Sequence, residues 1–369
     1  MNKYSIDRTC PICEKIVNDN LKNSRVSFFS SPKNFYKIEN RDSYCKKCEY
    51  VFSYKKPTQF FLNFHYKNKI LPKNLKPDYN LKNQINFIKK YFHKKKKILE
   101  IGSSNNYLVN QLNKKGFYCK GYDLNNKSMK SVSNFDVLIL NHVLEHVSDL
   151  NYFMRKLNKD LKMNSKIIVE VPHLNKYSHK YLNALTTEHL YHFSKKSLID
   201  LFSKFNLKFL FLEKKLISRP NSIRIVFEKV NKINKNPNYK NKNKINLKLI
   251  YKNILNSKKE NILKNSKKIV NIINQNKSSK IIFWGFNTRC VQYYDFLSNK
   301  IRKSVLIVDL NFSKFNNFNY MGKSLKIYNP DRMIDSNNIY IIFATSWFSD
   351  IKKLLLKKNI SEKKIFKIL

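Results

Sequence analysis

Acidic residues are scarce beside their opposites: 25 Asp and Glu stand against 73 Lys and Arg, a formal net charge of +48. There are five glycines in 369 residues, with nine prolines, six cysteines and two tryptophans. No run of 18 apolar residues occurs, so a membrane-spanning helix and a membrane partner are not expected. The N-terminal stretch MNKYSIDRTC has no apolar core of the kind a secretory leader needs, which makes the cytoplasm the expected compartment. The basic excess does not mark a nucleic-acid partner by itself. Its lysines run from end to end rather than gathering in a stripe. Lys, Asn, Ile, Tyr and Phe are abundant while Gly, Ala and Arg are rare, the composition an AT-rich coding sequence produces. The charge remains suited to an anionic small molecule such as a nucleotide diphosphate.

What is present is ample for a globular protein. Apolar residues make up 42% of the chain, and its length suffices for two or three domains. Residues 1–75 are rich in cysteine and aromatic residues. Residues 76–230 alternate helical and strand patterns. Leu81, Ile85, Ile88 and Phe92 share a helix face. Strands are expected at Ile98–Ile101, Phe117–Tyr122, Val137–Leu140 and Lys166–Val171, and a hairpin at Leu207–Glu213 and Ile223–Glu228. Helices are expected at Tyr107–Lys114, Leu150–Leu161 and Lys195–Phe205. This is a doubly wound α/β pattern. Residues 231–279 begin as a polar linker and continue as a long helix with Leu247, Ile250, Ile254, Ile262, Ile269 and Ile273 on one stripe. Residues 280–369 repeat the α/β alternation as a second Rossmann-like domain, without a phosphate loop or full dinucleotide fingerprint.

Cys10-Pro-Ile-Cys13 and Cys45-Lys-Lys-Cys48 are paired C-x2-C knuckles. Four thiolates suit a tetrahedral Zn²⁺, and four sulfurs close its coordination shell, so the ion would be structural. The 31 residues between the knuckles hold too little core to fold alone, which couples metal to folding. A reducing compartment argues against two disulfides. Cys119 and Cys290 lie within apolar segments and read as core residues.

In "KILEIGSSNNYLVNQL", residues 97–112, a strand ends at Glu100, turns at Gly102 and passes through Ser103, Ser104, Asn105 and Asn106 into a helix. Such a turn lets backbone N–H groups approach a ligand. Asp123 ends the next strand 21 residues after Gly102, where a carboxylate can accept ribose hydroxyls. "FDVLILNHVLEHVSDL", residues 135–150, carries Asn141 and His142 at a third strand tip.

Together these residues resemble the class I S-adenosylmethionine-dependent methyltransferases. The combination with a cysteine-knuckle module and a C-terminal Rossmann-like domain is similar to the sugar C-methyltransferases that act on nucleotide-linked deoxy-keto sugars. That family's E-I-G-S-N-D-G-x-L motif stands here as Glu100 to Leu108. Its Y-H-E-H-x-x-Y-F-S block stands here as "TTEHLYHFS", keeping Glu188, His189, Phe193 and Ser194. The resemblance implies S-adenosylmethionine as cofactor, held by Glu100, Gly102, Ser103, Asn105, Asp123 and Asn141, and a sugar-nucleotide substrate. His189 is the expected general base, with Glu188 holding its tautomer or touching substrate, and His142 lining the pocket. Glu145 and His146 are expected to stabilise the following turn. His173 is expected to face the cleft, and His65, His93 and His179 to be surface or packing residues.

Three departures stand out. Asn106 replaces a glycine, and asparagine tolerates the left-handed conformation. Thr186 replaces a tyrosine, for which Tyr66, Tyr79 or Tyr191 could stand in. Only 11 residues separate Asp123 from Phe135, too few for a helix, a strand and an adenine-contacting loop, so an edge strand is expected to be missing. That loss keeps open a binding or assembly protein on a degenerate methyltransferase scaffold. The charge keeps open a nucleic-acid methyltransferase, although no aromatic stacking motif or clustered basic helix supports one.

Overall fold

A computed structural model describes the chain except residues 1–3, 31–33, 69–78, 123–131, 179–184, 214–215, 217–218, 234–245, 316–317, 321–322, 345–346 and 369. Two compact units emerge. The first comprises residues 1–25, 39–66 and 72–255, the second 26–38, 67–71 and 256–369.

In the first unit the cysteine-rich segment folds around antiparallel strands. β1 (Tyr4–Ile6) pairs with β4 (Tyr50–Pro57), which pairs with the Arg41–Cys45 end of β3 (Asn34–Cys45). β2 (Asn20–Ser30) precedes them and helix α1 (Gln59–Asn68) follows. Helix α2 (Tyr79–Tyr91) then leads into the central sheet. Its strands are β5 (Lys97–Ile101), β6 (Tyr118–Tyr122), β7 (Val137–Asn141), β8 (Lys166–Pro172), β10 (Leu207–Leu212) and β11 (Ser222–Lys229), in the order β10-β11-β8-β7-β5-β6. The pairs β6-β5, β5-β7 and β7-β8 are parallel, while β11 runs antiparallel between β8 and β10. Among the described residues β6 ends the sheet on its side, and the segment that follows it, 123–131, lies outside them.

Local signals explain the helices between these strands. In α3 (Tyr107–Lys114) Leu108, Val109 and Leu112 form one buried face against Ile98, Val137 and Ile139. α4 (Leu150–Asp160) starts where the Asp149 carboxylate accepts the Tyr152 N–H at 2.9 Å. α5 (Lys195–Ser203) starts at a capping box of Ser194 and Ser197. The short strand β9 (Tyr191–His192) pairs with β4, so the segment after β8 is sewn to the cysteine-rich module.

That junction contains a buried polar cluster. The Arg25 guanidinium donates to both Asp42 oxygens at 2.7 and 2.9 Å, and to Ser53 Oγ at 2.7 Å. Tyr251 donates to Asp42 at 2.6 Å. Tyr251 lies in helix α6 (Leu247–Gln275), whose opening turns belong to this unit and bury Leu247, Tyr251, Ile254 and Leu255 with Leu21, Val51, Leu174 and Leu185.

The second unit has a parallel sheet in the order β16-β13-β12-β17-β18. Its strands are β12 (Ile281–Trp284), β13 (Val305–Val308), β16 (Ile327–Tyr328), β17 (Ile339–Ile342) and β18 (Ile365–Lys367); a small antiparallel pair, β14 (Phe318–Tyr320) and β15 (Lys323–Leu325), precedes β16. Ile269, Ile272 and Ile273 of α6 pack with Phe283, Ile341 and Phe343. Helices α7 (Thr288–Phe296), α8 (Asn299–Arg302) and α9 (Phe348–Lys357) complete this α/β unit. No helix of the described chain is long and apolar enough to cross a membrane.

Candidate active site

The turn after β5 is built around two glycines. Gly102 has φ +79°, and a Cβ there would lie 2.7 Å from Val143 Cγ2. Its N–H donates to the Tyr122 carbonyl at 2.7 Å, which ties the turn to the end of β6. A Cβ on Gly121 would lie 2.0 Å from Asn106 Oδ1 and 2.6 Å from Ser103 Oγ. The missing side chain therefore lets the turn fold down on β6. Ser104 and Asn106 adopt left-handed φ values of 47° and 54°, and Asn106 precedes α3, so asparagine takes up the conformation that a glycine would otherwise supply. Asn105 Oδ1 accepts the Tyr107 N–H at 3.1 Å.

Beneath this turn Glu100 is buried, and burial pushes its carboxyl up to about 7. Asn141 Nδ2 donates to Glu100 Oε1 at 3.3 Å. Glu100 Oε2 and Asn141 Oδ1 are buried and have no hydrogen-bond partner among the described residues. Two such acceptors at adjacent strand tips, beside a turn that admits no side chain, fit a polar cofactor with donor groups. Asp123 lies outside the described residues.

The tip of β7 carries an ionic chain. His142 has φ 50°, and its N–H donates to the Glu170 carbonyl at 2.8 Å. That conformation sets its ring between two carboxylates. Nδ1 donates to Glu145 Oε1 at 2.9 Å, and Nε2 lies 3.5 Å from Glu170 Oε1, an ion pair rather than a hydrogen bond. Burial opposes charge on His142, but the two carboxylates outweigh it and raise its pKa to about 9. Burial likewise opposes charge on Glu145 and Glu170. His142 outweighs it at both, joined at Glu170 by Arg224, and each falls to about 2. Arg224 donates to Glu170 Oε2 at 2.6 and 2.8 Å, and also meets Glu213.

Glu145 and His146 do not belong to the next helix, which starts at Leu150. They sit in a single 3₁₀ turn, Leu144–His146. Glu145, expected to stabilise the turn, is completely buried and is the hub of the charges just described. Its carbonyl accepts the Leu190 N–H at 2.6 Å, holding the loop that carries Glu188 and His189. His146 Nδ1 lies 3.1 Å from the Glu188 carbonyl and 3.1 Å from Tyr66 Oη, and its ring meets that of His189 edge-on at 4.8 Å between centroids. Glu188 Oε1 lies 3.2 Å from His65 Nε2. His65, expected to be a surface or packing residue, is buried against the site. Burial, reinforced by His146, pushes the His189 pKa down to about 3. His173, after β8, is pushed down to about 4 by burial, and neither ring nitrogen has a partner among the described residues. His179 lies outside the described residues.

Residues 74–210 match the family model described as "Methyltransferase domain". Solved structures with similar folds include three methyltransferases. One is the 1,6-didemethyltoxoflavin-N1-methyltransferase of Burkholderia thailandensis, with bound S-adenosylhomocysteine (8% identity, 42% of this chain and 79% of that one, TM-score 0.34). The others are SAM-dependent methyltransferases of Methanosarcina mazei (15%, 39% and 97%, 0.32) and Archaeoglobus fulgidus (13%, 40% and 94%, 0.31). No curated protein matches the chain in sequence. Residues 74–210 are a methyltransferase domain.

Outside the methyltransferase domain the cysteine knuckles form a second, separate cluster. Cys10, Cys13, Cys45 and Cys48 place their sulfurs within 4.8 Å of one another. Each knuckle is followed by a glutamate in left-handed conformation, Glu14 at φ 57° and Glu49 at φ 50°, so both turn back in the same way. Crowding of the thiols drives Cys10 up to about 12 through its neighbour Cys45. A cation that takes up thiolates relieves this crowding, and the donor set is compatible with zinc.

The sequence reading missed Glu170, Arg224 and His65 as members of the site. Glu170 is a charged residue inside an otherwise apolar strand, "KIIVEVP", and Arg224 interrupts "SIRIVF" in the same way. Those interruptions were the available signal, because buried charges need partners. His65 carries no such mark, since its partner Glu188 is 123 residues away.

Proposed function

We propose that this methyltransferase transfers a methyl group to a carbon of a nucleotide-linked deoxy-keto sugar, with His189 as general base. The observation that supports it most directly is the packing of Val143 against Gly102. This contact brings the cofactor turn and the segment bearing His142, Glu145 and His146 together at one end of the sheet.

S-adenosylmethionine supplies an electrophilic methyl on a sulfonium. Glu100, Asn141 and the turn from Gly102 to Asn105 are the groups available to hold it, with Asp123 for its ribose. His189, kept neutral by burial, takes the proton from the carbon next to the sugar carbonyl. The electron pair so released forms the new C–C bond as the C–S bond breaks, and its electrons leave with sulfur. His142, charged at neutral pH, lines the pocket where negative charge develops. Glu188 precedes the base in the chain, and Tyr66 contacts His146, whose ring meets that of His189. The cysteine cluster holds a structural Zn²⁺, and the protein works in the cytoplasm.

Incubation with labelled S-adenosylmethionine and a panel of sugar nucleotides, followed by mass spectrometry and product fragmentation, tests this reading. Label on a sugar carbon supports it; label on oxygen removes the carbon nucleophile, and label in added RNA or DNA replaces the substrate class. One observation favours a non-catalytic scaffold instead: β6 is the outermost strand among the described residues. Calorimetry with S-adenosylmethionine separates the two, because a scaffold that has lost the cofactor gives no heat.

A further inference from the structure

Glu145, His146 and His189 each bring one potential metal donor to a common point, with the three donor atoms within 4.8 Å of one another. Glu145 is fully buried, and only one of its oxygens is used. Oε1 accepts from His142, whereas Oε2 has no hydrogen-bond partner among the described residues. A buried, half-satisfied carboxylate is costly unless something cationic meets its second oxygen. His146 brings a ring nitrogen to the same point. Its Nδ1 lies 3.1 Å from the Glu188 carbonyl, which can only accept, and 3.1 Å from the Tyr66 hydroxyl, which can do either; the form with the proton on Nδ1 serves both and leaves the lone pair on Nε2. A histidine whose far nitrogen donates to a backbone carbonyl is the usual form of a metal-ligating imidazole.

We infer that Glu145, His146 and His189 bind one divalent transition-metal ion of the zinc or cobalt type, separate from the four-sulfur cluster. Two imidazoles and one carboxylate leave open coordination positions, unlike a closed site of four cysteines. Donors at about 2.1 Å from an ion lie no more than about 4.2 Å apart. The side chains must therefore close by about half an ångström on binding. His142 charges the other oxygen of Glu145, and Glu188 lies behind His146, so the ion would enter beside a carboxylate already ionised.

The consequence for catalysis rests on the reading of His189 as base, whereas the metal site itself does not. One lone pair cannot both bind a metal and accept a proton, so occupancy of this site would switch methyl transfer off.

The test uses the full chain with zinc in its cysteine cluster, titrated with Co²⁺. One equivalent should bind with visible ligand-field bands and no thiolate charge-transfer band. His146→Ala and His189→Gln should abolish these bands, and Glu145→Gln should do so if it folds. Tyr66→Phe, which removes a contact orienting His146, should weaken binding roughly 10-fold. Bands that survive in both histidine variants, or no bands in the parent protein, overturn the site. In the methyl-transfer assay cobalt should lower the parent rate by about 10²-fold or more, the scale of a lost general base. Cobalt bands without any sugar methylation retain the site and reject the catalytic reading; sugar methylation without cobalt bands does the reverse.

Discussion

His142 Nδ1 donates to Glu145 Oε1 at 2.9 Å, and both residues come from the six-residue stretch "NHVLEH" at the tip of β7. The left-handed conformation of His142 swings its ring back over the 3₁₀ turn that carries Glu145. A short chain reversal thereby creates a buried ion pair at the point where the sheet ends.

This pair makes stability depend on pH in two directions. The His142 pKa is raised to about 9, so its contribution is complete below the ordinary histidine range and is lost as pH rises through about 9. The carboxyls of Glu145 and Glu170 are lowered to about 2, so their contribution is complete above the ordinary carboxylate range and is lost as pH falls towards about 2. Urea unfolding from pH 6 to about 9.5 should show declining stability, and His142→Asn should flatten that slope.

Removing one member of the second buried pair should be severe. Arg25→Met leaves the Asp42 carboxylate buried without its guanidinium, a loss of about 3–5 kcal/mol by denaturant unfolding. The double variant with Asp42→Asn should recover part of it, because the uncompensated charge is then gone.

The cofactor turn should be intolerant of a single methyl group. Gly102→Ala introduces a contact of 2.7 Å to Val143 and a left-handed alanine, costing about 1–2 kcal/mol in backbone strain alone. Calorimetry with S-adenosylhomocysteine should show weakened binding. Val143→Ala in the same chain should restore some affinity by opening the space.

Zinc content and stability should fall together. Cys48→Ser should lose one zinc per chain by elemental analysis and lower the melting temperature. Chelation of the parent protein should have the same effect. Reduction alone should not, since all four cysteines are free thiols.

His189→Gln should lower the rate by about 10²–10⁴-fold while leaving S-adenosylhomocysteine affinity nearly unchanged. A Glu188→Gln change should act more mildly and shift the pH profile, because Glu188 touches His65 and precedes His189, the proposed base.

Periodicity and spacing alone determined the alternation of strands and helices, the glycine turn and the paired cysteine knuckles. These are local: a buried strand is written as an apolar run, and a tight turn as glycine or asparagine at a fixed place. Only the tertiary structure decided which charges meet. Glu170 and Arg224 face each other because β8 and β11 are neighbours in the sheet, and no one-dimensional pattern encodes that register. His65 reaches Glu188 because the cysteine-rich module is sewn to the loop after β8 through β9. Burial keeps His189 neutral, while the partners that packing brings together keep His142 and Glu145 charged against it; both are properties of the packed whole and could not be read from any one segment.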